Sequence, residues 1–261
     1  LNLLGISSGV LVMTKIDLVT PEQLAESTEM SQEMLVGTTL EGVPTAHVSS
    51  ITRQGLDTLK ELIVHQVNTI DKEHQSHGIP RLYVDRTFSM DGFGAVATGT
   101  LIGGEIQREQ RLMVLPQGRE VRVRGIQVHN ASAERAEAGQ RTALNLSGIN
   151  VDEIEHGNVI CPIEFSSVTQ NIDVSIRILS SFPRELPHWT RLRFYLGTSE
   201  TFCRAILLVS QFVSRGDTAE IQLRLEKPIL TFRGDRFIVR DFSAQHTIGG
   251  GKIMNPFAPK H

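Results

Sequence analysis

Two short stretches near the start of the chain carry side chains whose types and spacing suit recognition of a purine base. In Thr14-Lys15-Ile16-Asp17 the carboxylate of Asp17 can accept two parallel hydrogen bonds from the ring N–H and exocyclic amine of guanine, donors that adenine does not offer. The stem of Lys15 can lie over the base while its ammonium stays in water. In Ser49-Ser50, the second serine can supply a backbone N–H to the guanine oxygen. Phosphate chemistry has no counterpart, because the GxxxxGK[ST] loop that cradles β- and γ-phosphates occurs nowhere in the 261 residues. No catalytic residue and no metal ligand is therefore expected in this chain, and by itself it should not hydrolyse GTP. Gly249-Gly-Gly-Lys252 lacks the leading Gly and the following Ser or Thr, and reads as a turn. Asp91-Gly-Phe-Gly94 fits a DxxG switch and Gly92 to Ala97 a dinucleotide fingerprint, but Thr98-Gly-Thr follows instead of a helix, so hairpin glycines are expected.

The elements that must hold the base-reading residues follow an α/β pattern. Val10 to Met13 is a continuous apolar run, as in a parallel strand covered on both faces. Thr20-Pro21-Glu22 starts a capped helix that runs to about Val36, before Gly37. Pro44 to Val48 is a second strand, and a helix from about Gly55 shows Leu56, Leu59 and Ile63 at core-facing spacings. Ligands of open α/β sheets bind beyond the carboxyl ends of the strands, where both TKID and Ser49-Ser50 lie. The chain opens on LNLLGISSG, without Met or a capping residue, as expected of a fragment.

From His65 to Gly78 the sequence turns polar, a linker signal. Beyond it, LYVDRTF, AVATGTLI, RLMVLP, EVRVRGIQVH and RTALNL are short, rich in apolar and β-branched residues, and separated by Gly, Pro or charged turns, which predicts a small antiparallel barrel to about Phe165. Arg119, Arg122 and Arg124 alternate with Val121 and Val123, so the arginines share a face, either solvated or set against RNA phosphate. A second all-β unit begins near Ser166, with Ile172, Val174, Ile176 and Ile178 in strict alternation. Net charge is −3 overall but divides unevenly: residues 1–77 hold four Lys or Arg against ten Asp or Glu, and residues 78–261 twenty-two against nineteen. Any phosphate contact should come from the β-rich part. Cys161 and Cys203 form no CxxC pattern, which fits a reducing cytoplasm and argues against a zinc or disulfide framework. No window approaches the roughly 20 apolar residues of a membrane span, and Asn130-Ala-Ser and Asn145-Leu-Ser are then chance sequons.

DGFGAVATGT, GEI and AGQRTALNL resemble domain II of the Tu-like translational GTPases, and RDFSAQHTIGGG resembles domain III of the same factors. Asp85-Arg86 together with Arg141 in AGQR is most similar to the selenocysteine-specific elongation factors. The resemblance implies an α/β partial GTPase domain over 1–77 and two all-β barrels, translation-factor domains II and III, over 78–165 and 166–261. It makes TKID and Ser49-Ser50 the fourth and fifth guanine motifs, so that Thr14, Lys15, Asp17, Ser49 and Ser50 bind GTP or GDP. Thr14 and Ser50 depart mildly from the commoner Asn and Ala. The Mg²⁺ site would lie in a preceding N-terminal part. The implied partners are selenocysteyl-tRNA, the ribosome, and an mRNA hairpin held by following winged-helix domains, for a cytoplasmic, monomeric factor acting at recoded UGA codons.

Under the same resemblance Asp85, Arg86 and Arg141 line the aminoacyl pocket. A selenol is mostly an anion at neutral pH whereas serine is neutral, so arginines can read charge where shape differs little, and Asp85 can orient a guanidinium. Period-two alternation sends Asp85 and Arg86 to opposite faces, so both can serve one pocket only if the strand bulges there. Another Tu-like GTPase, a sulfate-activating GTPase subunit and a non-enzymatic tRNA- or ribosome-binding module remain the alternatives.

Overall fold

The computed structural model describes residues 2–69, 78–90 and 94–260. The chain divides into two compact units, residues 1–72 and 73–261. In the first, β1 (Leu11–Thr14) and β2 (Thr45–Val48) pair in parallel, and α1 (Pro21–Glu33) and α2 (Leu56–Thr69) follow the strands. Thr20 caps α1 in a reciprocal box with Gln23 and Pro21 opens its first turn, so the predicted start holds. The helix ends at Glu33 and turns carry the chain on to Gly37. Two expectations fail here. β1 is only half-buried, because a strand whose one strand neighbour among the described residues is β2 cannot be covered as an interior strand is. Ile63 is 47% exposed, and Leu56, Leu59 and Leu62 form the inner stripe of α2 instead.

In the second unit, β3 (Arg81–Met90), β4 (Gly94–Ile102), β5 (Glu105–Gln107), β6 (Arg111–Leu115), β7 (Arg119–Val128), β8 (Ala131–Ala133), β9 (Arg135–Glu137), β10 (Arg141–Ser147) and β11 (Val159–Pro162) build the first barrel. Six of them run in the order β10-β4-β3-β11-β6-β7, and β7 pairs back onto β10 to close the ring. The second barrel comprises β12 (Thr169–Ile178), β13 (Leu186–Pro187), β14 (Arg191–Leu196), β15 (Ser199–Leu207), β16 (Phe212–Val213), β17 (Thr218–Ile229), β18 (Arg236–Arg240) and β19 (Thr247–Asn255). Its closed order is β12-β17-β15-β14-β18-β19. Alternation fills each core as the pattern demands: Leu82, Val84, Val121, Val123 and Leu144 point into the first, Ile172, Val174, Ile176 and Ile178 into the second.

Gly249 and Gly251 are not a turn. They sit inside β19, where a Cβ would fall 2.2 Å from the Arg177 carbonyl oxygen and 1.8 Å from that of Ser175. The crowding of β12 against β19 therefore admits only glycine at those positions, which explains the run without any phosphate. Of the DGFG stretch, residues 91–93 lie outside the described set, as do residues 70–77 of the expected linker; Gly94 has φ of 82° and opens β4.

The two barrels meet over Tyr83, Leu115, Val159 and Cys161 from the first and Leu230 from the second. Arg81, 9% exposed, lies over the Phe232 ring and forms a two-pronged pair with Asp235, at 2.6 and 3.0 Å. Asp235 also accepts from Thr231 Oγ1 and the Phe232 N–H, so its charge is fully hydrogen-bonded. Burial drives the Tyr83 hydroxyl up to about 12 and the Cys161 thiol likewise to about 12, leaving both neutral. Removing one partner strands a buried guanidinium, so Asp235→Ala should cost about 3–5 kcal/mol. Urea denaturation reads the loss, and an Arg81→Met/Asp235→Leu double variant should recover most of it.

Candidate functional site

At the carboxyl end of the parallel pair, Thr14 stands opposite Val48, so TKID and Ser49-Ser50 leave the sheet from the same edge. Lys15 adopts a left-handed conformation (φ 59°, ψ 37°) that turns the chain sharply into a short 3-10 segment, Ile16–Leu18. Thr14, Lys15, Asp17 and Ser50 are exposed there. Ser49 is buried and structurally engaged: its N–H donates to Gln54 O at 3.0 Å and its hydroxyl accepts from Thr52 N at 3.2 Å. Ser50 is thus the serine of the pair that faces solvent. The Asp17 carboxylate as acceptor and the Ser50 N–H as donor fit the edge of a base.

The second site lies on the outer face of the first barrel. β3 pairs with β4 in regular register through Val84↔Gly99, then resumes at Arg86↔Thr98, leaving Asp85 as an extra, bulged residue. The bulge cancels the alternation between Asp85 and Arg86. Val84 points into the core, whereas the Asp85 carboxylate reaches Thr98 Oγ1 at 2.8 Å on the outer face, the same face on which Arg86 opposes Thr98. Arg141, paired in register with Thr100 on β10–β4, brings both terminal nitrogens to Asp85: Nη1 to Oδ2, and Nη2 to Oδ1 at 3.1 Å. Asp85 and Arg86 are therefore not an ion pair at a strand edge; the carboxylate orients Arg141, and Arg86 stands exposed beside them.

Partial burial alone would raise the Asp85 carboxyl. Hydrogen bonds from Arg141 and Thr98, with the charges of Arg141 and Arg86, outweigh it and hold the group below the ordinary carboxylate range.

A cleft of about 460 Å³ continues the same face. Its wall uses Phe88, two residues beyond Arg86; Val96, two before Thr98; and Ala143 and Asn145, two and four beyond Arg141. Arg124 and Gln127 close it from β7. Asn145 Oδ1 is buried with no hydrogen-bond partner, an acceptor waiting for a donor. Of these residues only Arg124 stood out in the sequence, as one of three arginines sharing a face, although period two counted from Arg86 and Arg141 leads directly to Phe88, Ala143 and Asn145. Of the three β7 arginines, Arg119 pairs with Glu153 and Arg122 with Glu109, while Arg124 faces the cleft.

The RDFSAQHT stretch is a closed loop. The Asp241 carboxylate accepts from His246 N at 3.0 Å and Ser243 Oγ at 3.0 Å, and the backbone bond from His246 chiefly lowers it to about 2.

Two six-stranded barrels in succession fit domains II and III of the Tu-like translation factors, and residues 94–161 match the family model of elongation factor Tu domain 2. Residues 171–260 match the model of the β-barrel domain of selenocysteine-specific elongation factors. The chain is 39% identical over 259 residues to the selenocysteine-specific elongation factor of Desulfomicrobium baculatum, covering 99% of this chain and 41% of that relative. It superposes on a bacterial selenocysteine-specific elongation factor, EF-Sec, with TM-score 0.84 at 26% identity, over 95% of this chain and 40% of that one. The apo translation elongation factor SelB of Methanococcus maripaludis shares the fold at TM-score 0.86 and 23% identity, over 96% of this chain and 57% of that one. Along its whole length, the chain is related to the selenocysteine-specific elongation factors.

Because its folded pKa is depressed, Asp85 contributes stability that is complete above its unfolded value near pH 4 and is lost as pH falls through the folded value. Arg141→Ala should move the carboxyl midpoint upward in a ¹³C-detected NMR titration. The stability difference between the two proteins should vanish at low pH. Since the Arg141 side chain is 58% exposed, that difference should not exceed about 1 kcal/mol.

Proposed function

We propose that this chain is the part of a GTP-dependent elongation factor that holds the charged end of selenocysteyl-tRNA for delivery to the ribosome at recoded UGA codons. We divide it into the carboxyl-terminal part of a GTPase domain, residues 1–77, domain II, residues 78–165, and domain III, residues 166–261. The observation that carries the reading is the Asp85–Arg141 pair with Arg86 beside it, adjoining a cleft of nucleoside size. An aminoacyl group is esterified to the terminal nucleoside of its tRNA, so a pocket that reads the amino acid must adjoin one that takes the nucleoside. Arg86 and the oriented Arg141 then face a selenolate. At an effective dielectric of about 20, one unit-charge contact at about 4 Å is worth roughly 4 kcal/mol before desolvation. Exposure of the pair to solvent reduces that figure, yet a tenfold preference needs only about 1.4 kcal/mol.

The guanine half of the reading rests on Asp17, Lys15 and Ser50 at one edge of the parallel pair, with Thr14 ending β1 and Ser49 bracing the second loop. In the intact factor GTP would be bound there by its base, its phosphates and Mg²⁺ being held by residues outside this chain. The mRNA-hairpin contact and monomeric state belong to the same proposal.

Two measurements test it. Arg86→Ala and Arg141→Ala, in the full-length factor, should each lower affinity for selenocysteyl-tRNA tenfold or more and leave seryl-tRNA binding little changed; equal losses for both would make the arginines general tRNA contacts. Separately, Asp17→Asn should shift preference from guanine toward xanthine nucleotides in competition binding, because an amide can donate to the carbonyl that xanthine carries where guanine has its amine. Unchanged guanine selectivity would remove TKID as the base reader.

A further inference from the structure

The bulge that builds the Asp85–Arg86–Arg141 cluster is held from outside its own barrel. Val84, whose carbonyl belongs to the peptide joining it to Asp85, is fully buried. Its N–H donates to Asn158 O at 2.9 Å, and its carbonyl accepts from Gly157 N at 3.0 Å. The second acceptor position of that oxygen is filled by Thr198 Oγ1, at 2.8 Å, from the turn joining β14 and β15 in the second barrel. Two further contacts hold this end of the second barrel against the first, one on β3 and one on the loop before β11. Gly197, at φ 57°, lies so near Tyr83 that a Cβ would fall 2.4 Å from the ring, and Ser199 Oγ donates to Gly157 O.

We propose that Thr198 is a positioning residue for the aminoacyl pocket, with Gly197 allowing its approach, so that the second barrel sets the selectivity of a site carried by the first. Two hydrogen bonds to its carbonyl oxygen, from Gly157 N and Thr198 Oγ1, fix the plane of the Val84–Asp85 peptide, while the Val84 N–H to Asn158 O bond holds the peptide before it, and that plane aims the Asp85 side chain at Thr98 and Arg141. Without the Thr198 hydroxyl, the peptide keeps its bond from Gly157 but can tilt. Asp85 then swings from Arg141, whose guanidinium loses its fixed orientation toward the amino acid. The inference rests on the proposed selenocysteine reading of the cluster, and its test separates the two.

In the full-length factor, Thr198→Val removes the hydroxyl at nearly constant volume and Thr198→Ser restores it. Equilibrium binding of selenocysteyl-tRNA and seryl-tRNA is measured for both, with Arg86→Ala as reference and thermal unfolding as the control for folding. The expected result is a tenfold or greater loss of selenocysteyl-tRNA affinity in Thr198→Val, unchanged seryl-tRNA binding, and recovery in Thr198→Ser. Gly197→Ala, which retains the hydroxyl but drives a methyl into Tyr83, should give the same selective loss and carries the test if Thr198→Val does not fold. Selective loss in Arg86→Ala with wild-type behaviour in Thr198→Val would overturn the inference alone. Equal loss for both tRNAs in Thr198→Val would overturn it by making Thr198 a scaffold contact. No selectivity change in Arg86→Ala would overturn the reading of the cluster, and the inference with it.

Discussion

The irregularity at Asp85 is the constraint on which the candidate pocket depends. A regular strand there would place Asp85 and Arg86 on opposite faces and send the Arg86 guanidinium into a core filled by Leu82 and Val84. One extra residue between Val84 and Arg86 puts acid and base on one face, within reach of Thr98 and Arg141. The Val84 N–H and carbonyl turn away from β4, and Asn158, Gly157 and Thr198 satisfy them there, since a buried peptide group without a partner would be costly.

Strand β3 also anchors the barrels to each other. Arg81 and Tyr83 lie at the junction, Val84 receives the second barrel's hydroxyl, and Asp85 and Arg86 open the pocket, all within six consecutive residues. The buried Arg81–Asp235 pair gains little net stability over an apolar contact, but it tolerates few other arrangements and so favours one docking geometry. The same restriction holds the Thr198 hydroxyl against the Val84 carbonyl. Motifs within the second barrel shape that barrel itself: Asp241 closes its loop, and Gly249 and Gly251 let β12 and β19 approach.

The sequence by itself determined most of the frame. Alternation at Ile172–Ile178 and at Val121 and Val123, together with the turn residues between strands, fixed which residues enter the two cores, because side chains of a strand must alternate. The Thr20-Pro21 cap located α1, and the DR and AGQR motifs marked the cation cluster. Tertiary structure decided what local pattern could not. Alternation predicts nothing about where it will be interrupted, so the bulge that unites Asp85 with Arg86, and the choice of Arg141 as the partner of Asp85, arose from pairing among β3, β4 and β10. The glycines of β19 looked like a turn because the oxygens that exclude a Cβ there come from β12, some seventy residues earlier. Ile63 failed as a core residue because helical spacing defines several overlapping stripes, and only packing selects the one that faces inward.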